Sequence, residues 1–195
     1  MPFYFRIRTY IFIIFFIFLP ILNSLALSLQ SSHFHIYIHP QINTVQLLDK
    51  LKVKYFLSFY SEPLKKDDLE YLLKKLLDAI YLETSDALDI HMYSFQINID
   101  ILPNRQYLDR LLTSYFRNFS SAPSFYVYEQ NKIYLSFEDM TLGMLVHEIA
   151  HAIVSHYFVI PPPTKVQEIL SGYAEYLVNK SIGKNRSYNL KDGED

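Results

Sequence analysis

Residues 147–151 read His-Glu-Ile-Ala-His, two histidines four apart with a glutamate directly after the first. On a helix, His147 and His151 stand one turn apart on one face, about 6 Å between their Cβ atoms. That spacing lets both imidazoles reach a single tetrahedral ion at about 2.0–2.1 Å. Glu148 is turned so that its carboxylate can reach a water on the open side of such an ion and act as general base. The chain has no cysteine, so thiolate ligation is excluded and any metal must be held by His, Asp or Glu.

Two histidines leave a zinc shell incomplete, and the next helical segment offers carboxylates to complete it. Glu168 and Glu175 are seven residues apart and therefore share a side, while Val166, Ile169, Leu170, Tyr173 and Leu177 are expected to form the core face. Glu168 falls in the first turns after Pro161-Pro162-Pro163, where the chain returns towards the two histidines. Glu175 lies about 10.5 Å further along the axis. Glu168 is the expected third ligand, with Glu175 either the partner behind a ligand histidine or the rival ligand. Gly143, one turn before His147, and Gly172, between the two glutamates, face the same space. Helical glycine costs about 1 kcal/mol relative to alanine, so the pair suggests close helix approach.

These residues resemble the gluzincin branch of the zinc metallopeptidases, in which His-Glu-x-x-His is followed by a ligand glutamate on the next helix. The resemblance covers roughly residues 124–181. It implies one Zn²⁺ per chain, peptide-bond hydrolysis with Glu148 as base, and a zincin-like mixed sheet whose edge strand lies beside the active-site helix. Asn-Lys-Ile-Tyr-Leu-Ser-Phe (131–137) is in the right place to be that edge, which could bind an extended peptide by strand addition. One position departs from the pattern. Many gluzincins carry the ligand glutamate directly before the glycine of a Gly-x-Ala-x-Tyr segment, and here Ser171 stands there. Serine is not an ordinary zinc ligand. The competing reading is therefore a non-catalytic binding or structural protein that keeps a zincin scaffold.

Other residues could contribute. His156 near the end of the His147 helix, or Tyr176 through its hydroxyl, could stabilise the oxyanion of a tetrahedral intermediate; the plainer role for His156 is a partly exposed histidine favoured by the helix dipole. His33, His35 and His39 alternate along one segment and read as surface residues rather than a second metal site.

Several elements must position this site. Residues 1–26 stand apart: Arg6 and Arg8 precede an apolar run, and Ser24 and Ala26 fit a signal-peptidase site. The alternative is an uncleaved membrane anchor over residues 10–27, at the short edge of what spans a bilayer. Either way the domain that follows is expected to be exported, in the periplasm, outside the cell or anchored to a membrane. Since Arg6 and Arg8 are the only charges there, their removal takes the net charge from −2 to about −4. That balance argues against nucleic acid or anionic lipid as partner, leaving a peptide or protein substrate, with a membrane met only through the N-terminal segment if it is uncleaved.

The remainder is sized for one metallopeptidase domain over 27–183, followed by a polar tail at 184–195. Strand patterns occupy 33–38, 55–60, 92–102, 124–130 and 131–137, the last two as a hairpin or adjacent strands about Gln130-Asn131. Helical periodicity occupies 41–53, 65–84 and 105–118. Leu142, Val146, Ile149, Ile153 and Tyr157 form an apolar stripe on the His147 helix, which must stop by Ile160 at the three prolines. Thr164 with Gln167 reads as a capping box opening the last helix, to about Gly183. The fold class expected is α+β.

Overall fold

The computed structural model describes residues 26–51, 66–115 and 121–191, with residues 66, 67 and 182–191 described by backbone alone. The N-terminal segment and the strand expected at 55–60 lie outside the described residues. In chain order the elements are β1 (Leu27–Gln30), β2 (Phe34–Ile38), α1 (Thr44–Lys50), α2 (Lys66–Leu88), β3 (Ile97–Leu102), α3 (Arg105–Tyr115), β4 (Ser124–Val127), β5 (Lys132–Ser136), α4 (Leu142–Tyr157) and α5 (Thr164–Lys191). A 3₁₀ turn at Tyr128–Gln130 joins β4 to β5, ending on Asn131 in the left-handed region (φ 44°), which asparagine tolerates better than most residues.

The five strands form one mixed sheet in the order β1-β2-β3-β5-β4. β2, β3 and β5 run parallel in the centre, and β1 and β4 flank them antiparallel. Register places Ile36 beside Ile99 and Ile99 beside Ile133. Alternation then gives one continuous apolar face of Phe34, Ile36, Ile38, Ile97, Ile99, Ile101, Ile133 and Leu135, all at most 2% exposed. Helices α2 and α4 cover that face, burying Leu73, Leu77, Tyr81, Val146, Ile149 and Ile153 in the same core. On the opposite face α3 packs Leu108 and Leu112 against Val127 and Tyr134 in a smaller cluster. The α+β class and the mixed sheet agree with the sequence pattern.

Several expectations fail in detail. The segment 131–137 supplies β5, an interior strand, and the edge beside α4 is β4. The antiparallel hairpin turns the chain outward first and back second, so the later strand pairs on both sides. On α5 the buried positions are Ser171, Ala174 and Val178, whereas Val166, Ile169 and Tyr173 are exposed. Small residues sit inward there because α4 and α2 pack closely against that side. On α4 the stripe holds except at Tyr157, which is exposed beyond the sheet. Thr164 does not cap: the N–H groups of Val166 and Gln167 donate to the Pro163 carbonyl. The helix it opens runs on past Gly183 to Lys191. His33 is buried rather than superficial, its ring stacked on Tyr81 at 3.9 Å. His35 instead meets Gln96 and His39 meets Tyr107, so the three histidines do not converge.

Candidate metal centre

Helix α4 starts where Thr141 accepts a hydrogen bond from Met144 N–H, a side-chain cap on an otherwise orphaned donor. From there the helix is buried on most of its circumference, with Leu142, Leu145, Val146, Ile149, Ala152 and Ile153 all in the core. One strip remains open, carrying His147 and His151. Their Nε2 atoms point at one another across 3.2 Å. Helix α5 returns alongside, and the Glu168 carboxylate reaches both: Oε2 lies 3.4 Å from His147 Nε2 and Oε1 lies 3.5 Å from His151 Nε2. These three donors lie within 4.8 Å of one another.

Behind each histidine stands an acceptor. Glu175 Oε2 lies 3.3 Å from His147 Nδ1. Gln167 Oε1 lies 3.4 Å from His151 Nδ1, and also accepts from Ser155 Oγ at 2.9 Å. The Gln167 amide nitrogen donates to the Pro162 carbonyl at 2.7 Å, tying the proline turn to the histidine. A proton held on Nδ1 by such an acceptor leaves the Nε2 lone pair free, the tautomer a metal ligand requires. Burial, followed by the neighbouring His147, pushes the His151 pKa down and favours its neutral form. Two Nε2 lone pairs and one carboxylate make a donor set suited to zinc with a fourth position open.

The two glutamates of α5 therefore divide the work by position. Glu168 faces the Nε2 side and Glu175 the Nδ1 side. Gly143 makes room for the second: a Cβ there would lie 2.6 Å from Glu175 Oε1 and 2.9 Å from Asn179 Nδ2. Gly172, by contrast, has nothing within 4 Å of where its Cβ would stand, so it marks no close helix approach among the described residues. Ser171, three residues after Glu168 and four before Glu175, is their neighbour on the helix but one step further towards the core, where it is fully buried.

Glu148 is only 7% exposed, and burial raises its pKa, opposed by its hydrogen bonds and by His147. Ser124 Oγ donates to Glu148 Oε1 at 2.7 Å, and the backbone N–H of Tyr126 also donates to this carboxylate. Both donors come from β4. Because Ser136 N–H pairs with the Pro123 carbonyl, the ladder alternates so that the backbones of Ser124 and Tyr126 face the free edge. Edge strand, α4 and the start of α5 enclose a cleft of about 480 Å³, lined by Ser124, Phe125, Tyr126, Tyr128, Pro161 and the His-Glu-His-Glu cluster.

Neither suggested oxyanion residue reaches this cluster. His156 Nδ1 lies 2.9 Å from Tyr126 Oη and 3.2 Å from the Ala152 carbonyl, with its ring between Phe95 and Tyr128. Tyr176 is exposed, under Lys180 Nζ at 5.3 Å. No protein family, curated protein or solved structure matches this chain.

Sequence reasoning missed Gln167, Ser155, Ser124 and Tyr126. Gln167 was legible only as a cap. Ser155 stands one turn after His151 on the same face, a spacing that does point to it. Ser124 and Tyr126 share a strand face by alternation, but which face meets Glu148 depends on how the sheet packs on α4.

Proposed function

We propose that this chain is an exported zinc-dependent metallopeptidase that hydrolyses peptide bonds, with His147, His151 and Glu168 holding the ion and Glu148 as general base. The observation that carries the reading is the meeting of His147, His151 and Glu168 within 3.2–3.5 Å of one another, beside a buried acid in an edge-strand cleft. A zinc ion held there supplies Lewis acidity, polarising a carbonyl and making water a nucleophile near neutral pH.

The chain's own residues divide the remaining tasks. Glu175 and Gln167 hold the two imidazoles in orientation and tautomer. Glu148 takes the proton from the attacking water at its carboxylate and passes it to the departing amine. Ser124 Oγ and Tyr126 N–H hold that carboxylate facing the cleft, and burial raises its pKa, which favours holding the proton between its arrival from water and its delivery to the amine. The carbonyls of Ser124 and Tyr126 face the free edge, where an extended peptide can pair by strand addition. Phe125, Tyr126 and Tyr128 give the cleft aromatic walls. The apolar run of residues 10–27 supports export, as a cleaved signal or as an anchor.

The test is a cleavage assay on a broad peptide library, run beside metal analysis. One zinc per chain, lost in His147→Ala along with turnover, is the expected result. A zinc-loaded, folded protein that cleaves nothing in the library would favour the non-catalytic scaffold instead.

A further inference from the structure

We infer that the outward face of α5 is a homodimer interface, against which a second copy of this chain lays the same helix. This inference stands independently of the metal reading. Val166, Ile169, Tyr173 and Tyr176 recur at spacings of three, four and three, and all four are more than 40% exposed. That is the a/d seam of a helix packed on another helix, and it lies on the side of α5 away from the core. The turn entering the helix adds Val159 and Ile160, at 101% and 82% exposure, beside Tyr157 and Phe158. Together these eight residues expose on the order of 1,000 Å², taking about 150–250 Å² for a fully exposed large side chain. A typical monomer leaves a patch of about 300–600 Å², and a stable interface buries about 800 Å² per partner.

The flanks of the seam say what covers it. They carry Leu170 and Leu177 on one side and Lys165, Gly172 and Asn179 on the other, so Lys165 is the one charge among the five, and Lys180 continues the seam at its C-terminal end. Laid antiparallel about the middle of the seam, two identical helices keep each Lys165 and Lys180 at the far end from its own copy, about 18 Å or more along the axis, so neither lysine meets its own copy. A helix resting on an anionic bilayer instead carries a row of Lys and Arg along its polar face, and beside this seam there are two cations, Lys165 and Lys180, fifteen residues apart. Position also disfavours a membrane. Leu27 enters the sheet beside Ile38, at the end where β3 and β5 finish. Helix α4 passes Ser124 at that same end and reaches Tyr126 near its own C-terminus, so the turn at 157–160 leaves at the opposite end. A bilayer tethered through the residues before Leu27 would meet the end of the domain opposite Val159 and Ile160, the most exposed part of this surface.

Gly172 supplies a separate observation. It costs helix stability, yet among the described residues nothing lies within 4 Å of where its Cβ would stand. A partner helix lying on the seam would, since small residues at a helix flank permit close approach.

The absence of cysteine makes the test clean. In the full chain as isolated, Tyr173→Cys is expected to form an interchain disulfide under mild oxidation, while Tyr93→Cys, at 79% exposure elsewhere, is not. By sedimentation the unmutated protein should be dimeric at micromolar concentration. The double variant Ile169→Asp with Tyr173→Asp should be monomeric with an unchanged circular dichroism spectrum, since both side chains are exposed. Three results would overturn the inference: a monomer at all accessible concentrations, including one that floats with anionic vesicles; a dimer that survives the double variant, as association through the N-terminal segment would; or cross-linking of Tyr173→Cys no faster than of Tyr93→Cys.

Discussion

The two helices that build the site are opposites. Helix α4 is buried on nearly every side and opens only along the strip that carries His147 and His151. Over its described side chains, helix α5 fully buries a narrow strip of small residues, Ser171, Ala174 and Val178, has half-buried neighbours such as Leu170 and Glu175 beside it, and exposes Val166, Ile169, Tyr173 and Tyr176. One side of it faces the histidines with Glu168 and Glu175, whose side chains are 55% and 38% exposed. The histidine pair is thus fixed by the core on nearly all sides, whereas the carboxylate arrives on an element that packs on α4 and α2 along one side. The lesson is that precision at the site is unequal: α4 sets the geometry and α5 completes it. Perturbing each helix should therefore fail differently.

The largest effect belongs to α4. Glu148→Gln keeps the volume and the Ser124 contact but removes the base. Turnover should fall by about 10²–10⁴-fold or more while zinc stays bound, as read by peptide cleavage beside metal analysis. Zinc lost together with activity would mean that Glu148 shapes the shell rather than the chemistry.

On α5 the comparison is between its two glutamates. Glu168→Ala removes a carboxylate that touches both Nε2 atoms, and zinc affinity should drop by more than about 100-fold. Glu175→Ala removes a contact to His147 Nδ1 alone, and the drop should stay within about 10–100-fold. Competitive zinc titration of the two variants side by side reads the difference. If Glu175→Ala loses zinc and Glu168→Ala keeps it, the assignment of the two is reversed.

The same contrast explains what could be read from the chain. On α4, motif and stripe are both local patterns, and Leu142, Val146, Ile149 and Ile153 lie where their spacing puts them. On α5, Val166, Ile169 and Tyr173 also have helical spacing, but periodicity says only that one face is apolar, not that this face is the inward one. Packing against α4 and α2 selects small residues inward, and a rule that equates large apolar with buried picks the wrong side. Glu168 and Glu175 were legible because seven residues bring the helix back to one side whichever face is core. For the sheet, the existence of β4 and β5 followed from alternation, while their order followed from pairing, which no single segment carries.

The backing carboxylate can also be disturbed from the α4 side. Gly143→Ala puts a methyl 2.6 Å from Glu175 Oε1, closer than atoms can approach, so Glu175 must withdraw from His147. Because α4 is held by the core, the helix cannot shift to relieve the contact. Zinc affinity should fall by an amount similar to that in Glu175→Ala, and combining the two changes should add little more, since both remove one interaction. Full additivity in that double variant would separate Gly143 from Glu175.

The smallest effect is the mirror of that one. Gly172→Ala adds the same methyl on α5, where nothing lies within 4 Å and the backbone φ is not positive. Alanine is favoured over glycine inside a helix by about 1 kcal/mol, partly because the unfolded chain loses freedom. The variant should therefore be more stable by roughly 0.5–1 kcal/mol, a rise in melting temperature of about 1–4 °C for a domain of this size. The measurement belongs in the Ile169→Asp with Tyr173→Asp background, so that association of two copies does not enter. Zinc affinity should not change, since Gly172 touches neither histidine nor glutamate. A loss of stability there would mean that α5 packs as tightly as α4, and the contrast between the two helices would fail.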